Sequence, residues 1–88
     1  MLPKVKENCT KRLNRIAGQV TGIQKMVEKE TYCIDILVQI AAVRAALDKV
    51  GLCVLKGHVE DCVVKASKEG QLEQYLDELE DALSKFLK

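Results

Sequence analysis

The chain reads as all-α, with two long helices and one short one whose apolar faces are satisfied only by another copy. Three observations predict this. Ala, Val, Leu, Ile, Lys and Glu dominate its 88 residues, and the aromatics are Tyr32, Tyr75 and Phe86 alone, a composition typical of helical bundles. Apolar residues recur at alternating steps of three and four along nearly the whole length, with none of the two-residue alternation of strands. Pro3 is the only proline, so nothing beyond the first few residues forbids a helix. A chain of this length makes one domain, 1–88, whose core is thin unless copies assemble.

The first helix is expected from about Lys4 to Lys29. Leu13, Ile16, Val20, Ile23 and Val27 form its seam, and Val5 and Cys9 extend the seam backwards. Gly18 and Gly22, four apart, cost helix stability and read as places where another backbone comes close. The second helix opens at Thr31, a suitable N-cap, and its pattern through Ile36, Ile40, Val43, Leu47, Val50 and Val54 persists to about Ala66. Gly51 and Gly57 weaken it without ending it. Some 36 residues of helix span about 54 Å, too long for a compact monomer and suited to a coiled-coil-like assembly. Gly70 serves as the C-terminal cap. The third helix, about Gln71 to Leu87, places Leu72, Leu76, Leu79, Leu83 and Phe86 on one stripe and acidic residues on the other face.

Charge is unevenly distributed. Residues 1–29 carry seven basic and two acidic groups, residues 30–69 five and six, and residues 70–88 two and five. The basic first third suits a polyanion, although a solvated charged face reads the same way. The uncharged run Ile36 to Val43 has eight residues, too few to span a bilayer. No apolar leader follows the N-terminus. A cytoplasmic protein without a membrane partner is expected, and its four cysteines then read as thiols or metal ligands.

Cys33, His58 and Cys62 carry the most chemistry. His58 and Cys62 are four apart and share a helix face. Cys33 lies 25 positions before His58, about 37 Å along a continuous helix, and a metal–ligand bond is only about 2–2.3 Å. If the three act together, Cys33 comes from a neighbouring subunit. The chain then reads as an oligomeric metal sensor with its site at a subunit interface. Cys9 and Cys53 read as packing residues, since a helical cysteine is usually a small core hydrophobe.

The segments Arg12–Glu28 (RLNRIAGQVTGIQKMVE), Tyr32–Leu47 (YCIDILVQIAAVRAAL) and Gly57–Val63 (GHVEDCV) resemble the copper-sensing repressor (CsoR) family, which also includes nickel/cobalt, formaldehyde and persulfide sensors. The resemblance spans about Lys11 to Leu83. It implies a homotetramer built from two antiparallel helical-bundle dimers, which binds operator DNA without inducer and releases it when inducer binds. It implies that Cys33 of one subunit meets His58 and Cys62 of its partner, with Tyr32 and Glu78 hydrogen-bonding around the ligand histidine. Two thiolates and an imidazole suit a soft ion in low coordination, Cu(I) foremost. The family's nickel/cobalt sensors carry a His at the Cys62 position and another near the N-terminus; here position 62 is Cys and the N-terminal MLPKVKEN has no His. The persulfide sensors lack the ligand His, and formaldehyde sensors generally lack the second Cys.

No helix-turn-helix or zinc-finger signature is present. Arg12, Arg15 and Gln19 fall at helical spacing, with Lys4, Lys11 and Lys49 adding charge. Arg12 and Lys49 match positions that the resemblance implies on operator DNA. The expected function is a Cu(I)-responsive repressor. The alternatives are a same-family sensor of another inducer, or a copper chaperone or storage bundle that ignores DNA. A thiol redox enzyme is not expected, because the cysteines form no C-x-x-C and no catalytic base clusters near them.

Overall fold

A computed structural model describes residues 1–87, the Val63 side chain excepted. Helix α1 spans Pro3–Glu28 and α2 spans Cys33–His58. A π-helical turn, Val59–Val63, follows directly and leads into α3, Val64–Lys68. After a turn, α4 covers Leu72–Phe86. The long second helix thus runs on as expected, but with one widened turn inside it. Such turns, bonded i→i+5, are frequent at functional sites.

Pro3 begins α1, where its missing N–H costs nothing. The helix ends in two bonds: the Glu30 N–H donates to the Val27 carbonyl at 3.1 Å and the Thr31 N–H to Met26 at 2.9 Å. This is a Schellman close with Glu30 in the left-handed region, φ 54°. It explains why Thr31 does not cap α2. Thr31 is used to finish α1, and Tyr32 is the α2 N-cap, with no side-chain cap bond. Gly70, φ 71°, makes the same close after α3, where the Gln71 N–H reaches the Ala66 carbonyl at 2.8 Å.

The short turn folds α1 back on α2 as an antiparallel hairpin. Val5 lies against Gly57, and Cys9 against Cys53. Ile16, Val43 and Val50 form the buried cluster, flanked by Ile23 and Ala46. Helix α4 returns along α2, its Tyr75 ring on His58 and its Phe86 ring over Gly51. The close-approach glycines are therefore Gly51 and Gly57, where an added Cβ would collide with Phe86 and Val5. Gly18 and Gly22, expected to play that part, have nothing within 4 Å of where a Cβ would stand. They lie on faces that the hairpin leaves open.

The chain forms a slab of 56 × 27 × 13 Å, and a single helix with its side chains is already about 10–12 Å across. Its radius of gyration is 17.3 Å, against about 12 Å for a compact domain of this length. No layer covers either broad face. Leu13, Val20, Val27, Ile40, Leu47 and Val54 of the predicted seams are accordingly exposed. No helix among the described residues is long and apolar enough to cross a membrane.

Candidate metal-sensing site and basic groove

The C-terminal end of α2 gathers the chemistry. His58 is the last residue of α2, and Cys62 sits within the π turn. Both line one cavity of about 200 Å³, together with Val54, Gly57 and Asp61. His58 is exposed and Cys62 half-buried, so a thiol and an imidazole face the same open space. His58 also borders an apolar groove between α2 and α4, where Leu55, Leu79 and Leu83 meet it.

The His58 ring is braced by a residue that the sequence alone does not place beside it. Tyr75 of α4 is buried, and its ring centroid lies 5.0 Å from that of His58 with the planes tilted by 32°. Its hydroxyl is buried without a hydrogen-bond partner. Burial, and then the neighbouring Cys62 and Glu78, push the Tyr75 hydroxyl above its ordinary value. The group stays protonated and is an unspent donor beside Cys62. Tyr75 stands three residues after Leu72 and four before Leu79, so periodicity along α4 marks it as apolar-face but not as a neighbour of His58. Only the return of α4 onto α2 brings it to the site.

Cys33 begins α2 at the far end of the slab and is exposed. Tyr32 precedes it and is 69% exposed. Glu78 is exposed on α4, three residues beyond Tyr75, and no hydrogen bond among the described residues joins Glu78 or Tyr32 to His58. The chain thus places His58, Cys62 and Glu78 at one end and Tyr32 with Cys33 at the other. Among the described residues, no three His, Cys, Asp or Glu side chains converge on a metal position within one chain.

A second surface lies midway along the hairpin. Lys11, Arg12, Arg15 and Gln19 of α1 and Lys49 of α2 line a single groove of about 630 Å³ floored by Ile16, Ala42, Ala45 and Ala46. The antiparallel register brings Lys49 across to Arg12, and the alanines keep the floor shallow. Asn8 Oδ1 accepts from Arg12 Nε at 3.4 Å and so aims the guanidinium. Lys11 pairs with Glu7 at 3.1 Å, one helical turn back, an exposed contact worth little. Among the described residues, Arg12, Arg15 and Lys49 have no carboxylate within salt-bridge distance. The groove is therefore a concentrated cationic surface.

An all-helical hairpin with a thiol and an imidazole at one end and a basic groove midway has the form of a helical regulator. The chain belongs to the metal-sensitive transcriptional repressors, whose family profile matches residues 5–85. It is 53% identical over 85 residues, 97% of this chain and 84% of the relative, to the copper-sensing transcriptional repressor CsoR of Bacillus subtilis (strain 168). Among solved structures it is similar to the copper-sensing repressor CsoR with Cu(I) from Geobacillus thermodenitrificans NG80-2, with a TM-score of 0.92 and 53% identity, covering 100% of this chain and 92% of that one. It is also similar to the nickel-responsive transcriptional regulator InrS, with a TM-score of 0.77 and 41% identity, covering 91% and 90%.

Proposed function

We propose that this chain is a Cu(I)-responsive repressor that holds operator DNA when metal-free and releases it when Cu(I) binds between subunits. One observation carries the reading. His58 and Cys62 share a cavity at one end of the slab, while the exposed thiol of Cys33 stands at the other end of the same helix. Two slabs laid antiparallel through their uncovered apolar faces bring each Cys33 to the partner's end of α2. A two-fold arrangement then makes two equivalent sites, each built from both chains, and a pair of such dimers gives the tetramer.

The donors fit a soft ion. Two sulfurs and one imidazole nitrogen favour Cu(I) in low coordination, whereas zinc completes a tetrahedron. The likeness to a nickel-responsive regulator makes another metal the second reading, and the two thiols of this donor set weigh against it. Cys33 and Cys62 would hold the ion as thiolates, the form in which cysteine ligates metals. Ligation ties His58 and Cys62 across the π turn to the partner subunit. Tyr75, stacked on His58, carries the constraint to α4, with Glu78 beside it and Tyr32 contributed next to Cys33. Each ligand biases a two-state assembly only by its different affinity for the two states.

On the DNA side, Arg12, Arg15 and Lys49 contact phosphate or guanine, supported by Lys11 and Gln19. The groove recurs on every protomer, so the tetramer presents it four times. The reading places the protein in the cytoplasm, where operator DNA and reduced thiols coexist. The deciding experiment is operator affinity with and without one equivalent of Cu(I) per protomer, measured anaerobically. Loss of affinity by tenfold or more, about 1.4 kcal/mol of coupling, supports the repressor. Tight copper binding with no operator binding in either state identifies a chaperone or storage bundle instead.

A further inference from the structure

The fold creates a second thiol centre away from the proposed copper ligands. Cys9 of α1 and Cys53 of α2 are 44 positions apart in the chain, yet their sulfurs lie 3.3 Å from each other. Both are free thiols, Cys9 buried and Cys53 half-buried. They occupy facing positions of the antiparallel hairpin, one α1 turn from Val5 and one α2 turn from Gly57, so both side chains point into the same interhelical seam. We propose that Cys9 and Cys53 form an oxidisable dithiol whose substrate is a hydroperoxide and whose product is an intrachain disulfide joining α1 to α2.

Geometry favours this product. A disulfide needs sulfurs about 2.05 Å apart, so closure requires a movement of little more than 1 Å, within the rotamer freedom of two cysteines. Access is asymmetric. Cys53 borders two surface cavities, one with Lys4, Asn8, Lys56 and Glu60, the other with Arg12 and Lys49, while Cys9 is buried. Cys53 is therefore the attacking thiol and Cys9 the resolving thiol. The proton between them sits on Cys9, whose thiol is raised by its hydrogen bond to Cys53 and then by burial. The cations lining the two cavities, Lys4, Lys56, Arg12 and Lys49, outnumber the one carboxylate, Glu60, a balance that favours the oxyanion that leaves.

The reaction balances as two steps. The Cys53 sulfur attacks the terminal peroxide oxygen; an S–O bond forms and the O–O bond breaks. The alkoxide takes the proton lost by Cys53 and departs as an alcohol, or as water from hydrogen peroxide. The Cys9 sulfur then attacks the sulfenic sulfur of Cys53; an S–S bond forms and the S–O bond breaks. The hydroxide takes the proton of Cys9 and leaves as water. The two thiols lose two electrons and two protons, and the hydroperoxide gains them. A cellular dithiol reverses the product by exchange.

The test uses the full-length, metal-free protein and equimolar hydrogen peroxide, followed by alkylation and peptide mapping without reductant. The expected result is a linked Cys9–Cys53 peptide on chains that migrate as monomers in a denaturing gel. The same product forms in a Cys33→Ser/Cys62→Ser variant, where two alkylatable thiols per chain fall to none. Closing a 44-residue separation raises Tm by about 5 °C or more, and dithiothreitol abolishes the rise. In a Cys9→Ser variant, Cys53 stops at a sulfenic acid trapped by dimedone. Wild-type protein that keeps Cys9 and Cys53 alkylatable, or that links Cys53 only to other chains, overturns the proposal whether or not copper is sensed.

Discussion

At His58 two environments meet: the cavity shared with Cys62 and the buried ring of Tyr75. An aromatic contact of this kind is worth about 0.5–1.5 kcal/mol beyond its buried area. That is enough to hold an exposed imidazole in one orientation and to pass a change at the ligand into α4. A Tyr75→Leu variant should still bind Cu(I) but lose about 1 kcal/mol of coupling, a roughly fivefold smaller copper-induced fall in operator affinity. Glu78→Ala should act in the same direction. An unchanged ratio of operator affinities in paired titrations would remove both residues from the coupling path. Tyr75→Phe separates ring from hydroxyl: because the hydroxyl is buried without a partner, its removal should leave metal-free stability unchanged or raise it by about 1 kcal/mol. Of the candidate site, the shared cavity of His58 and Cys62 and the distance of Cys33 from it were legible in the sequence, because spacing on a continuous helix is itself a distance. Tyr75 was not, since its partner belongs to another element. The Cys9–Cys53 contact was recoverable in principle. Reflecting position 9 through a turn centred near residue 31 lands on position 53, but that requires knowing that the hairpin is antiparallel and tightly closed.

The helices themselves were legible nearly to their ends, because apolar steps of three and four leave little freedom over 26 residues. The π turn was not. Val59–Val63 contains neither Gly nor Pro, so no residue type announces the widened turn. The two chain reversals use one backbone device with different residues. Gly70 adopts positive φ without strain, whereas Glu30 adopts it with a Cβ, at a cost of about 1–2 kcal/mol. Glu30→Gly should therefore stabilise the metal-free protein by about 0.5–1 kcal/mol, and Gly70→Ala should destabilise it by about 1 kcal/mol. Denaturant midpoints at one fixed protomer concentration measure both. A Glu30→Gly variant less stable than the parent would contradict the Schellman reading of that turn.

On the scale of the whole molecule, the controlling fact is thickness. A slab 13 Å deep has no interior for Leu13, Val20 or Leu47, so the apolar seams that predicted helices also predicted an assembly. The basic groove depends on the same hairpin, which carries Lys49 across to Arg12 and Arg15. Arg12→Ala should weaken operator binding, and should lower the slope of log affinity against log salt by about 0.9 for each phosphate that the protein no longer neutralises. Copper affinity should not change. An unaltered slope would move the DNA surface elsewhere. The most direct test of the assembly is complementation between two crippled chains. Cys33→Ser and Cys62→Ser proteins, each unable to form the three-donor site alone, are unfolded together, refolded as a mixture and titrated anaerobically with Cu(I) against a competing chelator. If the donors come from two antiparallel subunits, mixed dimers regain one of their two high-affinity sites, and the mixture binds copper that neither variant binds by itself. A mixture shown by mass spectrometry to contain mixed dimers, yet with no more high-affinity copper than its components, would contradict the shared site.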